Sequence, residues 1–362
     1  MKIHLIANMY PSEDAPSYGV FVQNTEKILQ SADITVDRTV LTKKKSKFQK
    51  LFGYAAYSLK IILKGLVNNY DYTYVHYAAH NSIPLLVLKA LKKNVKIVTN
   101  VHGSDVVPEV PSQEKFQKYV KALLGKSYKI ITPSNYYKGL VKEKYGVSTP
   151  IEVFPSGGVN KNLFFVKDTK EELFSQYKLD KQYQYAGFVS RMDVGKGWDV
   201  LLDAIADLKK DQSLDKVKFV IVGDGKQRPD FEAKVSDLGL EDDIVRFSLL
   251  PQKSLADIYN CLEIFCFPTT RKGESLGLVG LEAMACGAPV VGSAIGGLLD
   301  YVEDGQNGFL FQPGDSQGLA DGIKAFFHLS SEEKEAMKRN ALAKADEYEV
   351  ENIKPLLINV FK

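Results

Sequence analysis

The stretch EIFCFPTTRKGESLGLVGLEAMACGAPVV, from Glu263 to Val291, reads as strand, loop, helix and strand. EIFCFPTT is a short apolar run, RKGES a polar loop, and LGLVGLEAMAC a helix starting at Gly277 or Leu278, with APVVGSA as the next strand. Near-continuous apolar strands joined through a helix belong to parallel sheets covered on both faces. Two carboxylates interrupt this small, apolar segment: Glu274 in the loop and Glu282 inside the helix. A helix N-terminus offers unpaired N–H groups and a positive dipole end, which together suit a phosphate. Gly277 keeps the backbone there open, and Leu278 and Val279 supply the first helical N–H groups. Glu282 falls roughly 6 Å further along the axis, at 1.5 Å per residue, where it suits a ribose diol. Glu274, on the other side of the anion hole, suits sugar hydroxyls. The competing reading is an amphipathic helix with one exposed glutamate beside an unrelated loop glutamate.

The same alternation extends outward in both directions. KIHLIA, YTYVHY, VKIVTNV, YKIITPS and IEVFPS mark strands in the first half; YQYAGFVS, VKFVIVGDG, DIVRFSLL and NGFLFQP join the two above in the second. Amphipathic segments such as SIPLLVLKALKK and GWDVLLDAIADLKK lie between them. The pattern restarts after FPSGGVNKNLFF, where Pro155, Gly157 and Gly158 form a linker. The expectation is an α/β protein of two Rossmann-like, doubly wound domains, 1–160 and 161–346, facing a central cleft. The tail 347–362 is expected to pack back onto the first domain, and Pro355 to kink or interrupt a helix there.

With 362 residues, 45% hydrophobic and 25% charged, the chain has room for two ordinary cores. The start MKIHLIANMY is too short and early for a signal peptide, and no apolar run reaches the ~18 residues of a membrane span. Cys261, Cys266 and Cys286 form no CxxC pair, which fits a reduced, cytoplasmic chain. Residues 1–160 hold 22 Lys+Arg against 11 Asp+Glu, and the remainder 25 against 33. A basic half next to an acidic one points to an anionic partner for the first. No zinc-finger, RRM or basic-zipper pattern supports nucleic acid.

ESLGLVGLEAMACGAPVV resembles the EX7E element of GT-B glycosyltransferases, specifically the retaining family 4 group. That group usually has Phe where Leu276 stands, an apolar exchange that keeps both glutamates. GFVSRMDVGKGWDVLLDA resembles the strand–loop–helix that carries an Arg and a Lys, here Arg191 and Lys196. Two fixed cations stabilise the charge that builds on a departing pyrophosphate, Arg binding two oxygens and Lys acting as a point charge. Surface cations beside a glycine turn are the bland alternative, and the P-loop pattern is not met, because Gly197 follows Lys196. VKIVTNVHGSDVV places His102 where the family has a histidine facing the transferred sugar, with Gly103 for the turn and Asp105 to cap it. His76 and His80 read as lining or core. MYPSEDAPSYGVFVQ resembles the family's first glycine-bearing loop, so Gly19 is assigned to the donor, although the usual tandem glycines are missing.

The resemblance implies a retaining glycosyltransferase that moves a hexose from a nucleoside-diphosphate sugar, UDP-sugar first and GDP-sugar second, to a glycan or lipid-linked acceptor in polysaccharide or cell-envelope biosynthesis. His102, Glu274, Arg191 and Lys196 are the expected catalytic set. Gly19, Arg191, Lys196, Glu274, Gly277, Leu278, Val279 and Glu282 are the expected donor-binding set. No Asp-x-Asp and no HExxH occurs, so no cofactor and no metal are expected. The alternatives are a non-catalytic GT-B subunit of a larger complex, and a nicotinamide-dependent oxidoreductase, which would lack its glycine fingerprint here. Finally, Phe48, Leu51, Phe52, Ala55, Leu59, Ile62, Leu63 and Leu66 recur at helical spacing behind Lys43, Lys44, Lys45, Lys47 and Lys50. Such a helix over 43–66 either contacts an anionic membrane at the inner face of the cell or turns this stripe to the core.

Overall fold

A computed structural model describes residues 1–362 except Pro16, Ser17, Lys44, Lys45 and Ser213, and the side chains of Lys47 and Lys50. The chain forms two compact units, Met1–Gly157 with Ile353–Lys362, and Gly158–Asn352. In the first, strands β1 (Lys2–Ala7), β2 (Thr35–Val40), β3 (Tyr72–His76), β4 (Ile97–Asn100), β5 (Lys129–Thr132) and β6 (Ile151–Val153) lie in the order β2-β1-β3-β4-β5-β6. In the second, β7 (Gln184–Val189), β8 (Val217–Val222), β9 (Ile244–Phe247), β10 (Ile264–Phe267), β11 (Val290–Ser293) and β12 (Gly308–Phe311) lie in the order β12-β11-β10-β7-β8-β9. Every pairing between these strands is parallel. Two doubly wound α/β sheets are thus the architecture, as the alternation of elements implied.

Parallel strands need helical crossovers, and the apolar faces of those helices bury both sides of the second sheet. Phe265, Leu281 and Tyr259 fill one side, and Phe188, Leu201 and Ile323 the other. Strand order reverses between β1 and β3 in the first sheet and between β7 and β10 in the second. Beyond the carboxyl ends of strands at such a reversal, adjacent crossovers run to opposite faces and leave a crevice.

β2, with the sequence TVDRTV, escaped the sequence reading. It is an edge strand, and its polar, partly exposed residues lack the apolar run that marks its neighbours. Pro355 neither ends nor interrupts its helix, which runs Val350–Val360. It lies on the exposed side of that helix, while Ile353, Leu357 and Val360 on the other side are buried.

The basic helix is Lys47–Val67, capped by Ser46, whose side chain accepts from Gln49 N. Lys44 and Lys45 of its lysine cluster lie outside the described residues. Its core face is Tyr57, Ile61 and Gly65, with the Tyr57 hydroxyl donating to Asn81 Oδ1 at 2.7 Å. The stripe singled out in the sequence therefore points away from the core, which corrects the core-facing alternative. Phe48 and Leu51 are each 70% exposed, and Phe52, Leu59, Leu63, Leu66 and Val67 are exposed as well. Ile83, Val87 and Leu91 of the packed neighbouring helix Ala78–Leu91 are also exposed. Among the described residues no helix is long and apolar enough to cross a membrane.

Candidate active site

In the second unit two loops leave the carboxyl ends of β7 and β10, the strands at the reversal. Thr270 N donates to Gly195 O at 3.0 Å, and the Thr269 hydroxyl lies 3.3 Å from Gly195 O. Gly197, at φ 79°, begins the helix Trp198–Lys210; a Cβ there would come 1.8 Å from Pro268 O. Only glycine allows the loops to meet this closely. The result is an ion pair across them, Lys196 Nζ to Glu274 Oε2 at 2.8 Å, with both side chains largely covered. Thr269 Oγ1 is 3.3 Å from the same carboxylate oxygen. From the far side Gly297 N donates to Glu274 O at 3.1 Å, and a Cβ at Gly296 would stand 2.3 Å from that oxygen.

Four residues after Glu274 the helix Leu278–Ala285 begins. Its N-cap Gly277 is left-handed, at φ 80°, with no side-chain cap, and the first turn holds no acid. The first-turn N–H groups and the dipole are thus available to an anion. Glycine at 277 has a second cause besides its φ: a Cβ would meet the Phe267 ring at 2.7 Å. The reading that glycine merely opens the backbone to a ligand missed this packing from below. Leu278 and Val279 are half-buried at the start of the helix. Glu282 follows one turn on, near Tyr259, and burial pushes its carboxyl up to about 7. Arg191 is mostly exposed and is paired with Asp193 Oδ2 at 2.9 Å. The structure therefore gathers Lys196, Glu274, Gly277, Leu278, Val279 and Glu282, while Arg191 stands off on the same loop.

The first unit holds the remaining two residues. Gly19, at φ 79°, begins the helix Val20–Gln30, and a Cβ there would lie 2.8 Å from Met9 C and O. The first turn of that helix carries Phe21, whose ring centroid is 4.6 Å from that of His102. His102 follows β4, in a turn clamped by Asp105: Oδ1 accepts from His102 N at 3.0 Å and Gly103 N at 2.9 Å, and Oδ2 from Ala78 N at 2.9 Å. His76 Nδ1 meets His102 Nε2 at 2.9 Å. Sequence reasoning left His76 as lining or core and did not find Thr269, Gly296 or Gly297. Only the glycine pair left a trace, in AIGG after β11. Among the described residues no three His, Cys, Asp or Glu side chains group as metal ligands.

The family described as glycosyltransferase family 4 matches residues 2–158, and the family of glycosyl transferases group 1 matches residues 169–344. The chain belongs to the family 4 glycosyltransferases. Its fold is GT-B: sucrose-phosphate synthase from Thermosynechococcus elongatus superposes with a TM-score of 0.82 at 20% identity, over 100% of this chain and 98% of that one. Anabaena HepE, solved in complex with UDP and glucose, gives 0.77 at 20% identity over 99% of each chain. Among curated relatives, this glycosyltransferase is 25% identical to the N-acetyl-alpha-D-glucosaminyl L-malate synthase of Bacillus anthracis over 278 residues, 75% of this chain and 70% of that protein.

Proposed function

We propose that the chain is a retaining, metal-independent hexosyltransferase that uses a nucleoside-diphosphate sugar. The observation that carries this reading is the covered Lys196–Glu274 pair beside an uncapped helix N-terminus at the β7/β10 reversal. In this reading the diphosphate takes the first-turn N–H groups of Leu278 and Val279, and Lys196 neutralises the charge that grows as the glycosidic bond breaks. Arg191 exchanges Asp193 for a phosphate oxygen, supplying the second cation without a metal ion. Glu282 accepts from the ribose and Glu274 from the sugar, and His102 and Gly19 keep the catalytic and donor-binding roles that the family resemblance implies. Retention follows from front-face displacement with the donor phosphate as base, as the family resemblance implies.

UDP is the first choice of nucleotide because the HepE structure holds UDP with glucose; GDP is the second. The acceptor is a glycan or lipid-linked glycan of cell-envelope or polysaccharide biosynthesis. The outward apolar face of the helix Lys47–Val67, within a half of net positive charge, supports peripheral contact with an anionic cytoplasmic membrane surface. A thermal-shift panel of UDP, GDP, ADP and NAD, each with and without EDTA, tests the donor reading. A rise with UDP that EDTA leaves unchanged is the expected result. No rise with any nucleotide, or a rise abolished by EDTA, would overturn it.

A further inference from the structure

His76 closes β3 and is completely buried, whereas His102 is half-buried. Their rings are nearly parallel, at 14°, and share the 2.9 Å contact between His76 Nδ1 and His102 Nε2. One of these nitrogens must donate and the other accept. Burial lowers both imidazole pKa values, that of His102 to about 3, so neither ring carries a second proton at neutral pH. The carboxylate of the adjoining turn, Asp105, is occupied by three backbone N–H groups. His76 Nε2 has no partner, and the rings of Tyr74 and Phe21 lie 4.6 and 6.0 Å from that of His76. If His76 Nδ1 carries the proton, the unpartnered nitrogen is a bare lone pair. In the reverse arrangement it is a buried N–H with no acceptor, the rarer fault in folded proteins.

The frame around the pair is rigid. Tyr77 takes φ 73°, unusual for a bulky residue, and its ring stacks on His102 at 11° and 6.0 Å. Its hydroxyl meets Ser104 Oγ, and Asn81 Nδ2 donates to His76 O at 2.9 Å and Tyr77 O at 2.8 Å. We propose that His76 is a positioning residue that fixes the His102 proton on Nδ1, leaving His102 as a hydrogen-bond donor rather than a base. The use of that donor toward the transferred sugar rests on the glycosyltransferase reading above; the proton assignment does not.

The full-length protein has five histidines, so ¹⁵N-histidine labelling gives a spectrum simple enough to assign with His76→Phe and His102→Phe. Long-range ¹H–¹⁵N correlations distinguish the two neutral tautomers. The expected result is His102 as the Nδ1–H form, lost or mixed in His76→Phe. His76→Asn, whose amide N–H can take the place of Nδ1–H, should restore it. In parallel, kcat should fall about tenfold in His76→Phe with little change in donor KM, and recover in His76→Asn. His102 found as the Nε2–H form in the native protein overturns the proposal, as does a tautomer that His76→Phe leaves unchanged. The native spectrum decides even where a variant does not fold. An Nδ1–H His102 in a protein inactive with every nucleotide sugar supports the assignment and faults the reaction reading instead.

Discussion

At the scale of single residues, Lys196 and Glu274 present two opposite charges with most of their surface covered. Removing one member leaves the other desolvated without compensation, which costs more than the intact pair contributes. Lys196→Ala is expected to cost about 2 kcal/mol in urea unfolding and to reduce transfer about a hundredfold or more. Adding Glu274→Gln should restore most of the stability and none of the activity. A double variant that regains transfer would remove the pair from catalysis. Glu282 supports a second prediction. Burial raises its carboxyl to about 7, from the 4.5 it has when unfolded, so its stabilising contribution is complete below 4.5 and is lost as pH rises through 7. Glu282→Gln, which cannot ionise, should therefore gain on the native protein as pH rises from 5 to 8, by up to about 3 kcal/mol. Equal differences in melting at both pH values would show that Glu282 does not titrate in this window. Glu282 was legible in the sequence because small, apolar surroundings make a charge conspicuous, and Glu274 and Lys196 because they stand in motifs that the family resemblance carries. Their pairing was not: the five-residue spacing of Arg191 and Lys196 says that they share a loop, not which carboxylate each one takes. Thr269, Thr270 and the clash that keeps Gly197 a glycine decide that, through contacts some seventy positions apart in the chain.

At the scale of elements, ten of the parallel strands are apolar enough to read directly, together with the partly exposed β9, and only β2 was lost to its polar edge position. The helix Lys47–Val67 shows where periodicity falls short. Apolar residues occupy both of its sides, and a helical spacing rule reports a stripe without saying which way it faces. Gly65, needed where Leu88 approaches (a Cβ would lie 2.5 Å from Leu88 Cδ2), marks the core side, but a lone glycine carries no such label in sequence. An exposed face of Phe48, Leu51, Phe52, Leu59 and Leu63 is costly to leave in water unless something covers it. Replacing Leu59 and Leu63 together by glutamate should leave the melting temperature nearly unchanged, since neither is in the core. Co-sedimentation with vesicles rich in anionic phospholipid should fall severalfold, and uncharged vesicles should bind both forms weakly. Undiminished sedimentation of the double variant would count against this helix as the contact.

At the scale of the whole molecule, the first unit is built from both ends of the chain. Ile353, Leu357 and Val360 are buried, Lys129 Nζ donates to Val360 O at 2.8 Å, and Phe361 is nearly fully covered. The Phe361 ring stands edge-on to Tyr72 and Tyr74, with centroids 5.4 and 5.2 Å away, so the last turn of the chain closes the β3 side of the first sheet. The tail is expected on the first domain, and Ile353–Lys362 belong to that unit; which residues it meets could not be read from EYEVENIKPLLINVFK, because the partners Tyr72 and Tyr74 lie almost three hundred residues earlier. Phe361→Ala removes a large buried ring and should cost about 3–4 kcal/mol, read from urea unfolding followed by tyrosine fluorescence. The groups proposed to hold the nucleotide, Lys196, Glu274 and the start of the helix Leu278–Ala285, all belong to the other unit. Calorimetric UDP affinity at a temperature where the variant remains folded should accordingly match that of the native protein. A loss of UDP affinity in step with the loss of stability would mean that the first unit, through its final residues, contributes to holding the nucleotide itself.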